Sequence, residues 1–473
     1  MTGTLEQQAI QALQDGRRGD ACEDRDEEWA AFYAAGRGAP APPRDTGTQP
    51  AKAALPEILR GLMVPWSQEE LDAAREPWPH AFQERHTGLF PVGEVSIVAA
   101  AGREGKTTVE VGLAVAMVID HSLAGMSPLP GRSVIVYSAE DDRAQYARKV
   151  AAQTSLLGSE HADQVRQRLL VPNLDDAGMV AARTLVMVLE GQPLASGTVD
   201  AIIQAIRPMM DRTDPPGLLV FETASTLSEA EESNPGFRVL VLALKRIARE
   251  LQVAVLVSHH VSQASLSGLP DLNVATTDIR GGTALVNNAR QTAILVNLGS
   301  DDDPFPDNDA RTVLRRLVAG DQPDKVTAWI SLDSSKGITP PPVFFRWVST
   351  DWGPAAVELD PPSALADRSW RKVLEMVRAE RSGMRDAAKE ERASAKASEM
   401  VQKAIDAVVR LQAQGEVTAR RVREALGRSQ DVTARVLAQA VADGHLEIYQ
   451  ATIRGKATDV YRFGGTTEGC GNG

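Results

Sequence analysis

AAGREGKTT, residues 100–108, continues the apolar run VSIVAA (95–100) and opens a second one, VEVGLAVAMV (109–118). A buried-type strand that passes through a tight glycine turn into a helix is the setting a phosphate-binding loop needs. Gly102 and Gly105 let the backbone wrap so that its N–H groups converge, and the helix N-terminus adds a partial positive charge. Lys106 then reaches the β and γ oxygens of ATP, and the Thr107 hydroxyl ligates Mg²⁺. Gly102, Arg103, Glu104, Gly105, Lys106, Thr107 and Thr108 are therefore the expected nucleotide-binding set. Ala100 replaces the first glycine of the strict pattern without disturbing the phosphate-contacting half.

Outward from this loop the same kind of run recurs: SVIVYS (133–138), RLLVP (168–172), GLLVFET (217–223), VAVLVSHH (253–260), TAILVNL (292–298) and VTAWISLDS (326–334). Runs that are apolar throughout, without alternation, suit strands covered on both faces in a mainly parallel sheet. Helical segments such as 235–251, with Val239, Leu242, Leu244, Ile247, Ala248 and Leu251 read as one side, supply the crossovers. The expected fold is an α/β core with a twisted, mainly parallel sheet over residues 92–360.

Three strand ends carry candidate chemistry. GLLVFE ends in Glu222, at the position of the carboxylate that holds the Mg²⁺ hydration shell. Most sequences of this kind have Asp there, and the extra methylene shifts the carboxylate by about 1.5 Å. SVIVYS leads into SAEDD, where Glu140, expected one strand away from the phosphate loop, is the candidate catalytic carboxylate that orients the attacking water. VAVLVS ends in His259 and His260, and His260 is placed to sense the γ-phosphate and signal to the following loop, residues 261–280.

The rest of the chain frames this core. It has 473 residues, 43% of them hydrophobic and 24% charged, an ordinary globular composition. No run of eighteen apolar residues appears and residues 1–18 lack the apolar centre of a signal peptide, so a cytoplasmic protein with no membrane partner is expected. Cys22 and Cys470 lie far apart, and no Cys/His cluster has metal-ligand spacing. Residues 1–50, acidic and then rich in Pro and Gly, read as a disordered tail with a short helix near 29–35; 51–91 is a lead-in and 465–473 a flexible tail. Pro361 and Pro362 close the core, and a charged helical linker (361–400) follows. Three short helical patterns (401–414, 418–426, 429–443) and two strand-like runs then outline a winged helix-turn-helix over 401–464, with Thr418 and Ser429 as N-caps and 453–459 as the wing tip. In a chain of net charge -12, Arg420, Arg421, Arg423, Arg428, Arg435, Arg454, Lys456 and Arg462 make this region the best candidate for phosphate contact.

The phosphate loop, the SAED strand, the strand ending in Glu222 and the HH strand occur in an order that resembles the RecA-like ATPases of the RepA type, hexameric replicative helicases of plasmids and phages, over residues 91–359. RGGTALVNNAR (280–290) extends the likeness, since it looks like that family's RGSS-L-DN-R segment. The resemblance implies a homo-oligomeric ring, most simply a hexamer, with ATP between subunits and Arg290 entering the neighbour's site as an arginine finger. Arg280 is the second choice, and the resemblance makes Lys336, in SLDSSKG, an assistant to Arg290. The implied function is an ATP-dependent DNA helicase or translocase in replication of a mobile element or phage. Single-stranded DNA would pass the core at the loops after His260 and around 299–309, and duplex would meet the winged helix. The rival readings are a DNA-binding ATPase switch and a RecA-like recombination filament.

Overall fold

Continuous apolarity requires strands that are covered from both sides, and the runs read above pair with one another to give such a sheet. The computed structural model describes residues 64–464 apart from 103, 175–181, 231–233, 281–282, 321 and 323. The tails (1–50 and 465–473), the helix near 29–35, both cysteines, residues 51–63 of the lead-in and Arg103 lie outside the described residues. The chain divides into two units, up to Arg75 and from Glu76 onward. In the first, helix α1 (Gln68–Ala73) is fixed at its start by a capping box between Ser67 and Glu70.

In the second unit, β1 (His80–Glu84) and β2 (Thr87–Pro91) form a hairpin joined by the short β4 (Ser127–Pro128). The main sheet contains β3 (Val95–Ala100), β5 (Ser133–Ser138), β6 (Leu169–Leu170), β9 (Pro216–Glu222), β10 (Ala254–His260), β11 (Gln291–Gly299), β12 (Val326–Ser334), β13 (Val343–Thr350) and β14 (Gly353–Leu359). Its order is β14-β13-β12-β11-β3-β10-β9-β5-β6. The six strands from β11 to β6 are parallel, whereas β12, β13 and β14 add an antiparallel meander. This mixed α/β layout with its large, mostly parallel sheet fits a RecA-like core. A small hairpin, β7 (Val186–Leu189) with β8 (Gln192–Ala195), stands apart from it.

Alternation in β3 shows how both faces are covered. Val95, Ile97 and Ala99 join one apolar cluster with helix α6 (Asn234–Leu251), and Val98 and Ala100 join the other with helix α2 (Lys106–Val118). Helix α6 buries Phe237, Leu240, Val241, Leu244, Ile247, Ala248 and Leu251. Leu242, read from sequence as part of that stripe, is 50% exposed. The 3.6-residue period runs through 237, 240, 244, 247 and 251, so position 242 falls on the opposite side.

Two further expectations are corrected. β5 does not lie one strand from β3: β9 and β10 stand between them. Sequence alone gives the strands but not the order in which the crossovers lay them down. The lead-in is not a mere approach either, because β2 is tied to the core through Gln291, which accepts from the Phe90 amide at 2.7 Å and donates to the Gly88 carbonyl at 3.0 Å.

Beyond the sheet, helices α3 (Arg143–Thr154), α4 (Ser159–Arg168), α5 (Thr198–Ile206), α7 (Thr283–Asn288) and α8 (Ala310–Ala319) complete the core. The expected linker and the helix at 401–414 are one continuous helix, α9 (Trp370–Gln412), because nothing between 370 and 412 breaks it: the segment has no Pro and one Gly, Gly383. Its first turns bury Val373 and Val377 against the core, and its last turns bury Ala404, Ile405, Ala407 and Val408 in a separate cluster with α10 (Ala419–Leu426) and α11 (Gln430–Ala442). Thr418 and Ser429 cap α10 and α11 as expected. The hairpin β15 (Leu446–Ile453) and β16 (Lys456–Phe463) turns at Arg454 and Gly455, both with positive φ.

Candidate functional site

The phosphate loop leaves β3 at its C-terminal end and enters α2 through Gly105, whose φ of +85 favours glycine. A Cβ there would also stand 2.0 Å from the ring of Trp347 on β13, so the indole occupies the space beside the loop. The neighbouring Glu104 carboxylate accepts from the Asn297 amide at 2.9 Å. Burial raises the Glu104 carboxyl above its usual range, with Lys325 opposing the rise. The loop is thus braced from β11 and β13, on the side away from the carboxylate strands.

On the other side, parallel register brings the expected residues together. β10 adjoins β3, and Lys106 Nζ lies 3.3 Å from His260 Nδ1. His259 is buried, contacts the Arg280 carbonyl at 2.9 Å, and is pushed down to about 3 by burial. It stays neutral at physiological pH, while His260 faces the phosphate end. β9 follows β10, and the Glu222 carboxylate accepts hydrogen bonds from the Thr107 hydroxyl with one oxygen and from the Tyr146 hydroxyl with the other. Burial raises the Glu222 carboxyl, and these two donors oppose the rise.

Glu140 lies two residues beyond Ser138, the register partner of Glu222, and is exposed at the same sheet edge. Its neighbours have structural duties: Asp142 caps α3 by accepting from the Gln145 amide at 2.6 Å, and Asp141 pairs with Lys149. Thr108 is buried behind the loop, and Gly102 has open space where a Cβ would stand.

Arg290 is not brought to this cluster. It precedes β11, donates its amide to the Val95 carbonyl at 2.9 Å, and so lies at the opposite end of β3 from Lys106. There its guanidinium is 3.7 Å from the buried Glu94 carboxylate, which Lys245 approaches to 3.5 Å and Arg249 to 3.1 Å. Lys336 is at this same end, next to Ser335, whose amide donates to the Arg290 carbonyl; its ammonium stands 3.7 Å over the Trp78 ring. Arg280, by contrast, donates its amide to the His260 carbonyl at 2.9 Å, beside the phosphate end.

The loops read as DNA-facing are held down. Asp301 pairs with Arg315 and Asp307 with Arg316, and Arg381 of α9 reaches both Asp271 at 2.6 Å and the Asn308 carbonyl at 2.7 Å.

Sequence reasoning missed Tyr146, Glu110, Glu94 and Trp347. Glu110 carried a signal, as the one charged residue in the apolar run 109–118. It is 1% exposed, and neither of its oxygens makes a hydrogen bond of normal geometry among the described residues. Burial, reinforced by the Glu222 charge, holds its carboxyl well above the usual range. Tyr146 carried no signal, since an aromatic on an amphipathic helix reads as core.

A hydroxyl and a carboxylate, both hard oxygen donors, face each other at Thr107 and Glu222, which suits Mg²⁺ completed by water and phosphate oxygens. No cluster of three His, Cys, Asp or Glu side chains that could hold a metal occurs among the described residues, and none is needed for a magnesium shared with a nucleotide.

Residues 67–265 match the family model described as an AAA domain, which takes in the phosphate loop, both carboxylate strands and the HH strand. The match spans less than half of the chain. No curated protein matches. A solved structure described as a DnaB-like replicative helicase and its interactions with primase is 14% identical, with 74% of this chain and 76% of that chain covered and a TM-score of 0.37, too slight a likeness to carry function across. Among the described residues, no helix is long and apolar enough to cross a membrane.

Proposed function

We propose that this chain binds ATP with Mg²⁺ and hydrolyses it to drive movement along DNA, as a helicase or translocase of RepA type that works as a ring of identical subunits. The observation that carries the nucleotide reading is the convergence of Lys106 with His260 and of Thr107 with Glu222 at the C-terminal ends of β3, β10 and β9. In this reading Lys106 and the loop amides hold the β and γ phosphates. Thr107 and, through water, Glu222 would hold a magnesium ion, which would supply positive charge against the phosphates. Glu140 orients the attacking water, and His260 moves with the loss of the γ-phosphate.

Glu140→Gln should leave ATP binding intact and lower turnover by about 10²- to 10⁴-fold, the usual contribution of a positioned acid or base. The amide keeps the shape of the side chain and loses its charge. Radiolabelled ATP measures binding and phosphate release measures turnover; turnover within a few-fold of wild type would move the catalytic role to another carboxylate.

The ring reading is supported by Arg290 lying at the opposite end of the sheet from Lys106. A guanidinium in that place is remote from the phosphate loop of its own subunit, so in the ring reading it would serve a neighbour's phosphates.

We read residues 401–464 as the winged helix-turn-helix, now with the last third of α9 as its first helix. A DNA-bound switch remains the second reading, favoured by the separate apolar cluster of this region. Of its basic side chains, Arg420 already pairs with Glu424, and Arg462 with Glu447. The others are freer to release counterions from duplex DNA, each phosphate contact adding about 0.9 to the salt slope. Deleting residues 401–473 should leave ATP hydrolysis within about twofold, because the deleted cluster shares no residue with the core clusters. Duplex affinity should fall most at low salt. Identical salt slopes for the full and shortened chains would assign the region to a protein partner.

A further inference from the structure

Glu222 stands where an aspartate is the usual residue, and its extra methylene would leave a freely rotating carboxylate poorly aimed at a metal seated by Thr107. The structure removes that freedom. One oxygen receives the Thr107 hydroxyl and the other receives the Tyr146 hydroxyl, from helix α3. Tyr146 is 1% exposed, so the phenol is aimed into the site and not at solvent. Its own ring is fixed by Lys149, whose ammonium lies 5.4 Å from the ring centroid and whose charge is tied to Asp141. Asp142 caps the same helix one turn earlier. The helix that carries Tyr146 therefore starts three residues after Glu140 and is anchored at the strand end that bears the candidate water-orienting carboxylate.

We infer that Tyr146 is a positioning residue for Glu222: its hydroxyl seats the longer carboxylate so that the free lone pairs face the magnesium held at Thr107. This rests on the reading of Thr107 and Glu222 as the metal site and goes beyond it by assigning a role to a tyrosine on a different element. It also gives the lengthened side chain a reason, since an aspartate at this strand end would withdraw from the phenol by about 1.5 Å and lose the contact.

The test is a two-by-two set in the full-length chain: wild type, Tyr146→Phe, Glu222→Asp and the double variant. Phenylalanine keeps the buried ring and removes only the hydroxyl. Mn²⁺ binding is read by electron paramagnetic resonance in the presence of a non-hydrolysable ATP analogue, alongside kcat with Mg²⁺ and analogue affinity in EDTA. Tyr146→Phe alone should weaken Mn²⁺ binding and lower kcat by on the order of tenfold or more, the usual effect of losing a hydrogen bond to a charged group, with analogue affinity in EDTA unchanged. Added to Glu222→Asp, the same change should have less than a twofold effect, because the shorter carboxylate no longer reaches the phenol. Wild-type Mn²⁺ binding and kcat in Tyr146→Phe would overturn the assignment, as would equal losses in both backgrounds, which would show that the hydroxyl acts on packing and not through Glu222. Analogue binding in wild type without retention of Mn²⁺ would overturn the metal site itself and this role with it.

Discussion

Lys106→Ala is expected to abolish ATP hydrolysis and to weaken nucleotide binding by about ten- to a hundredfold. The ammonium is nearly buried at the start of α2, and His260 is its one hydrogen-bonding partner among the described residues. An imidazole nitrogen at 3.3 Å is a single contact, whereas a phosphate offers several charged oxygens, so phosphate can replace it at the lysine. Each charge-assisted hydrogen bond lost costs about 1.5–3 kcal/mol, and 1.4 kcal/mol is a factor of ten in affinity. The loss in turnover should exceed the loss in binding, because charge on the transferring phosphoryl group is greatest where Lys106 would act. The variant also removes the cation that moderates Glu110, leaving two buried carboxyls, Glu110 and Glu222, without it. Equilibrium binding of a fluorescent ATP analogue and phosphate release measure the two effects; wild-type affinity in the variant would remove the phosphate-loop assignment.

Arg290→Ala should lower turnover in the assembled protein by about 10³- to 10⁵-fold, the range for a finger supplied across an interface, while each subunit still binds ATP. The fold should survive, since Glu94 keeps Lys245 and Arg249 as partners when Arg290 is removed. The same ion cluster holds the guanidinium beside Glu94, so action in trans would require it to exchange Glu94 for a neighbour's phosphate. Mixing Arg290→Ala with Lys106→Ala subunits should restore part of the activity at junctions where an intact loop meets an intact arginine. Absence of rescue in rings shown to be mixed would refute action in trans.

The parts of this structure that were legible in the sequence rest on local signals. GKTT after VSIVAA is read within a dozen residues, and the caps at Thr418 and Ser429 within four. Glu222 and His260 could be placed because an apolar run that ends in a polar residue marks the strand's end whatever its neighbours are. The strand order was not legible, because β5, β9 and β10 are alike in composition and only the crossovers decide which lies beside β3. Tyr146 and Trp347 were missed for a related reason. Their roles depend on contacts 76 residues away in one case and on the empty Cβ position of Gly105 in the other. The boundary read at residue 400 falls inside one helix, because a helix crossing from one cluster to another changes its burial without changing its backbone.

Helix α9 has a mechanical consequence. At 1.5 Å per residue its 43 residues extend about 65 Å, and the part between Arg381 and Gln412 about 47 Å. Arg381 grips two loops of the core at one end of that span, and the α10–α11 cluster is fixed at the other. A rod of this length amplifies: a tilt of about 10° at the grip carries the far end roughly 8 Å, more than two base-pair steps along a DNA duplex. In the translocase reading, this helix would carry a small shift of the core loops that Arg381 grips out to the α10–α11 cluster as a displacement on the scale of a DNA step.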